Sequence, residues 1–354
     1  MADIFNVFNQ AALTRVINIA AQTRIEQINP LPRVLSGQPT TTEDKIRLQR
    51  AQIKSFGYAK PKAFGATPPI YVPRMRYTET EIELIPIHEM SPVDERLLRK
   101  LESEDSEVRA RAGVDIQTRQ TALRMRNELG WDVLTMSAIL NGTLQIGFVD
   151  DPDQGFTLDY GYDPTHFTTV TTPWSTLASS TPISDMKAVQ VLLANTTGQY
   201  GRHFWMNSNT QRNLIESAEA KALLTGFDGR AQFIPTLGDI ATRMYDPDNV
   251  QFHVSDSGYR GETYERGLTA HTKFLPDNVV IVTTDDPFEG ERIVEVWNGR
   301  TAVPQSEFAP PALLQGNQSW VKLDTDSLTT YYHEASTRIP MVNRPDCIAI
   351  MDVS

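Results

Sequence analysis

The stretch that decides the reading runs from Asp105 to Asn141: DSEVRARAGVDIQTRQTALRMRNELGWDVLTMSAILN. No proline interrupts it. Val108, Ala112, Ile116, Leu123, Val133, Met136 and Leu140 recur mostly three or four residues apart, with one gap around Arg119. That spacing puts them on one stripe of a helix. Asn141-Gly142 is a C-terminal stop, because glycine takes the left-handed conformation that closes a helix without a Cβ penalty. At 1.5 Å per residue the predicted helix is about 55 Å long. A helix of that length is a spine that crosses a molecule.

Upstream, Ser91, Pro92 and Asp94 predict a short helix start. Residues 43–54 alternate, with Lys45, Arg47 and Gln49 set against Ile46, Leu48 and Ala51. Residues 76–88 alternate as well, through Arg76, Thr78, Thr80, Ile82 and Leu84 to Ile85 and Ile87 around Pro86. Period two predicts strands. A long connection rich in Gly, Pro and aromatics joins them, so the two strands form an extended hairpin. It is too small to own a core. Phe56, Tyr58 and Phe64 would then lie on a partner surface. Residues 1–40 carry a short helical stripe of Phe5, Phe8, Ala12, Leu13, Val16, Ile17 and Ala20, followed by Pro and Gly breaks. They read as an arm that buries its stripe on something else.

Downstream, strands dominate. Leu144–Val149 and Phe156–Tyr160 are expected to pair. Helices are expected near 184–194 and 209–224, the first capped by Thr181 or Ser184. Further strands are expected at Phe204–Met206, Asn249–Ser255, Asn278–Thr283, Glu291–Trp297, Trp320–His333 and Ile348–Val353.

Charge is distributed unevenly. The 354 residues carry a net charge of −11, with 40% hydrophobic and 22% charged residues. Between Lys45 and Tyr77 stand Lys45, Arg47, Arg50, Lys54, Lys60, Lys62, Arg74 and Arg76, with no Asp or Glu. A basic segment on an acidic body points to an acidic partner surface. The overall charge argues against a free nucleic-acid binder. Contact of these basic residues with DNA is the alternative reading. The single cysteine, Cys347, forms no intramolecular disulfide and no CxxC motif, and is expected in the core. No apolar stretch is long enough to span a bilayer. The N-terminus lacks the basic region and apolar core of a signal peptide.

Motifs for catalysis are missing. GxGxxG, GxxxxGK[ST], HExxH and GxSxG do not occur. The six histidines, His88, His166, His203, His253, His271 and His333, have no ligand-like spacing. Asp150-Asp151-Pro152-Asp153 lacks the calcium-loop pattern. Asp285-Asp286 precedes a proline and reads as a polar turn, since strand neighbours point to opposite faces. No cofactor and no metal are expected.

The order of arm, long hairpin, spine helix and mixed α/β region resembles the major capsid proteins of tailed bacteriophages, and specifically the lambda-type capsid protein E family. The stretches that carry the likeness are Thr42–Leu48, Thr80–His88 with Pro86, Lys273-Phe274-Leu275-Pro276-Asp277-Asn278, the Trp174 region, and Ile339–Val342 with Pro345-Asp346. The resemblance implies an α+β tailed-phage capsid fold, with an arm at 1–41 and an extended loop at 42–90. It implies a peripheral domain at 91–175 plus 318–338 and an axial domain at 176–317 plus 339–354. It implies a structural subunit and not an enzyme, which forms pentamers and hexamers of a virion head assembled in the host cytoplasm. Scaffolding protein, portal, a decoration protein and non-specifically packaged double-stranded DNA are the implied partners, with no membrane. No motif assigns Lys54, Lys60 or Lys62 to a covalent cross-link. The alternatives are a bacterial nanocompartment shell and a carboxylate-dependent hydrolase.

Overall fold

A computed structural model describes residues 35–43, 45–53, 75–93, 95–147, 155–225, 235–260, 271–285, 292–303, 312–324 and 329–354. The chain enters as β1 (Ser36–Gly37), the hairpin β2 (Lys45–Ile53) and β3 (Met75–Glu83), and β4 (Ile85–Pro92). Two helices follow, α1 (Glu95–Leu101) and α2 (Ser106–Asn141). Then come β5 (Thr143–Ile146), β6 (Phe156–Asp159), β7 (Phe167–Thr169), α3 (Pro182–Thr197), β8 (His203–Met206), α4 (Ser208–Glu216), α5 (Ala218–Thr225) and α6 (Leu237–Ala241). The remainder is β9 (Gln251–Val254), β10 (Gly258–Tyr259), β11 (Thr272–Lys273), β12 (Val279–Thr283), β13 (Val294–Asn298), β14 (Arg300–Val303), β15 (Ala312–Gln315), β16 (Gln318–Asp324), β17 (Thr329–Val342) and β18 (Ile348–Asp352).

The spine helix has the predicted bounds. Asp105 caps it by accepting from the Glu107 N–H at 2.9 Å, and Gly142 closes it at φ 66°. A Cβ at Gly142 would come within 2.9 Å of the Tyr162 ring, so both conformation and space require glycine. Three upstream and downstream expectations need correction. Ser91 and Pro92 close β4, and the helix starts only at Glu95. Pairing of Ser91 and Pro92 with Tyr332 and Tyr331 outweighs the local capping signal. The helix expected at 209–224 is two, broken at Ser217, whose hydroxyl accepts from the Ala220 N–H. The strand expected at 320–333 is two antiparallel strands, β16 and β17.

Two sheets organise the core. The first has the order β1-β13-β17-β16, with β4 also pairing β17. The second runs β7-β18-β12-β8-β9. The central strands of the second sheet, β18 and β12, are buried on both faces, and period two sorts their side chains. Val280, Val282, Ala349 and Met351 pack with Ile183, Met186, Val189 and Leu193 of α3. Ile281, Ile348 and Ile350 join Trp131 and Ile139 of α2 and Ile339 and Met341 of β17. One apolar cluster thus fastens both sheets to the C-terminal half of α2. Cys347 is fully buried, as expected of a small apolar side chain.

Candidate assembly surface

The hairpin pairs in continuous register from Lys45↔Glu83 to Ile53↔Met75. Its root is fixed in the core through Ile46 and Ile82, both under 10% exposed. Register explains where the basic residues stand. Lys45 lies opposite Glu83, Arg47 opposite Glu81, Arg50 opposite Thr78, and Arg76 opposite Gln52. Lys45 Nζ is 2.9 Å from Glu83 Oε1, and that partner holds the ammonium pKa above its usual value. The acid-free window of 45–77 is therefore matched across the hairpin by Glu79, Glu81 and Glu83, which lie just beyond it. The base of the hairpin answers its own charge. The charged residues of the stretch from Lys54 to Arg76 are all basic. Lys54, Phe56, Tyr58, Lys60, Lys62, Phe64 and Arg74 lie outside the described residues, as do Asp150, Asp151, Asp153 and Asp286 and the apolar stripe of 5–20.

The end of the arm is built into the first sheet. Ser36 and Gly37 pair parallel with Val294 and Glu295. Thr41 N–H donates to Asn298 O at 2.8 Å, and Asn298 N–H donates to Pro39 O at 2.9 Å.

Beneath the hairpin root, α2 buries ions. Between Leu123 and Val133 of its apolar stripe, the buried Arg124, Asn127 and Glu128 bond to residues of β17. Arg124 donates to Glu334 at 2.6 Å and sits 3.1 Å from Glu128. Arg338 donates to Glu128 at 2.6 Å and to Asn317 at 2.7 Å. Ser319 donates to Glu334, and Asn317 to Glu128. Trp131 donates to Ser336 at 2.7 Å, which donates to Asn127. Burial pushes the Glu334 carboxyl up, opposed by Arg124 and Ser319, and burial works against the charge on Arg124. The network balances two guanidinium groups against two carboxylates, which is what makes burial of four charges tolerable. The signal for it was in the sequence: Arg124 and Glu128 four apart, and Glu334, Ser336 and Arg338 at period two.

Four of the six histidines form two pairs. His88 Nε2 and His333 Nδ1 are 3.0 Å apart, beside Trp320. His203 Nδ1 and His253 Nε2 are 3.2 Å apart, with His203 Nε2 2.9 Å from Asp285. Asp285 also accepts from Arg202. It is a structural partner of these groups. Among the described residues no group of three or more His, Cys, Asp or Glu side chains is placed to hold a metal ion, and no helix is long and apolar enough to cross a membrane.

No protein-family model matches the chain, and no curated protein does. Solved structures do. A prophage protein assigned as a capsid protein, from Escherichia coli CFT073, superposes with a TM-score of 0.56 at 14% identity, over 98% of this chain and 99% of its own. The chain has the tailed-phage capsid fold. A phage-related protein from Bordetella bronchiseptica RB50 superposes on the same capsid fold with a TM-score of 0.51 at 10% identity, covering 96% of both chains. An encapsulin complex from Synechococcus elongatus PCC 7942 matches at a TM-score of 0.42 and 12% identity, over 93% of this chain and 89% of its own.

Proposed function

We propose that this chain is the major capsid protein of a tailed phage, a non-enzymatic subunit that assembles into the pentamers and hexamers of an icosahedral head around double-stranded DNA. The observation that carries the reading is a capsid fold matched from end to end to a prophage capsid protein. The hairpin supports it: among its described residues the core anchors are Ile46 and Ile82 at the root, and a two-stranded ribbon is too small to own a core. In this reading 1–41 is the arm and 42–90 the extended loop. Residues 91–175 with 318–338 form the peripheral domain, and 176–317 with 339–354 the axial domain. The basic stretch from Lys54 to Arg76 lies on an acidic face of the adjacent subunit, with Phe56, Tyr58 and Phe64 as apolar anchors. Charge matching selects and orients the partner, while area burial repeated over many subunits supplies stability. Scaffolding protein, portal and a decoration protein complete the head, which is assembled in the host cytoplasm. In this reading the sequence resembles the lambda-type capsid protein E family.

Negative-stain electron microscopy of the expressed chain, alone and with its scaffold, tests it. Closed shells or ring-shaped capsomers are expected. Monodisperse monomers under both conditions overturn it, and shells that fill with a co-expressed cargo protein and exclude DNA would move it to a nanocompartment.

A further inference from the structure

The two histidine pairs have the same internal geometry and opposite surroundings. Each links neighbouring strands, and each lies against a tryptophan: Trp320 for His88 and His333, with ring centroids 5.3 and 5.2 Å away, and Trp205 for His253, at 3.9 Å. In a contact of 3.0–3.2 Å between imidazole nitrogens, one ring donates and the other accepts. Such a contact holds no more than one proton between the two nitrogens. A second proton turns acceptor into donor and sets two cations against each other.

What differs is the neighbouring charge. At His203 the neighbour is a carboxylate: Asp285 lies 2.9 Å from Nε2 and is itself held by Arg202. At His88 and His333 the nearby charged group on the same face is the cation Lys322. Register puts Trp320 opposite His333 and Lys322 opposite Tyr331. On β4 it puts Met90 opposite His333, and His88 opposite Ala335. The carboxylates of β4 and β17 serve the other face: Glu89 accepts from Arg126, and Glu334 from Arg124 and Ser319. Val303 of β14 closes the patch with Trp320 and Ala335.

We propose that the His88–His333–Trp320 cluster is a proton-sensitive latch between β4 and β17, closed while one imidazole nitrogen accepts and opened by a second proton. Its consequence lies at the hairpin. Only Leu84 separates β3 from β4, so β4 is the strand that roots the 45–83 ribbon on the first sheet. Opening β4 frees the direction in which that ribbon leaves the body. Protonation is resisted at neutral pH: burial, then His88 and Lys322, hold His333 down to about 4, and burial lowers His88. Groups whose folded pKa is depressed bind fewer protons than the unfolded chain, so their contribution is present above about pH 6.5 and is lost as pH falls towards 4. The latch needs only a single chain, and it stands or falls independently of shell formation.

Hydrogen exchange of the full-length subunit, corrected for the intrinsic pH dependence of exchange, tests it between about pH 7.5 and pH 4.5. In the wild type, protection across 85–92 is expected to fall at least roughly tenfold, while 348–352 keeps its protection. His88→Gln and His333→Gln each remove one imidazole and are expected to flatten the response of 85–92. His88 is more exposed than His333, so His88→Gln keeps the test alive if His333→Gln fails to fold. His253→Gln is expected to leave the response of 85–92 unchanged. An unchanged wild-type protection of 85–92 at acid pH overturns the latch, as does an equal loss in His88→Gln.

Discussion

The buried ions under β17 and the exposed ions of the hairpin use the same residue types for opposite ends. Arg124, Glu128, Glu334 and Arg338 are each under 10% exposed and bonded to one another, Asn317 and Ser319. Lys45 and Glu83 touch at a similar distance, yet their side chains are 55% and 72% exposed. Water already solvates the second pair, so its formation adds little to stability. Water is gone from the first, so each ion depends on its partners. The charge that matters for the fold is therefore hidden, and the charge that can be offered to another molecule is on the ribbon. Contact distance does not separate the two roles; solvent exposure does.

Single substitutions in the network test the first half of the contrast. Glu334→Ala strands Arg124 and is expected to cost about 3–5 kcal/mol in chemical denaturation, because an uncompensated buried charge remains. Replacing Arg124, Glu128, Glu334 and Arg338 together with apolar residues of similar volume is expected to cost less than Glu334→Ala alone. A larger loss in the fourfold variant would show that the ions, and not their mutual pairing, hold α2 to β17.

Trp131→Phe keeps most of the buried ring and removes the indole donor to Ser336. A loss of about 1–3 kcal/mol is expected, read from the unfolding midpoint. A loss near zero would mean that Ser336 and Asn127 satisfy each other without the indole.

On the hairpin the expected effect on folding is smallest and the effect on assembly largest. Lys45→Ala should leave the thermal midpoint of the isolated subunit unchanged. Reversing Lys45, Arg47 and Arg50 to Glu is expected to block shells and leave the body folded. That triple reversal also puts glutamates opposite Glu83 and Glu81 across the ribbon. The sharper variant is Lys45→Glu with Glu83→Lys, which keeps the pair and the net charge. If it assembles normally by electron microscopy while Lys60→Glu with Lys62→Glu does not, the acting charges are those of the 54–76 stretch.

The division between what was legible and what was not follows the range of the interactions. The spine helix could be read to within a residue, since its cap at Asp105, its stop at Gly142 and its 3.6-residue period are all local. The ribbon strands, the 143–159 pairing and the buried Cys347 were equally local matters of alternation and composition. Sequence by itself thus determined the elements, their order and the uneven charge. Tertiary structure alone decided which charges are spent inside the molecule. Arg124 meets Glu334 across 210 residues, and His88 meets His333 across 245. Those meetings depend on the register of β4 and β16 against β17, which no local pattern encodes, because a shift of one residue turns every side chain to the other face. The same register put Glu79, Glu81 and Glu83 opposite the start of the basic run, a pairing that the charge count along the sequence did not reveal.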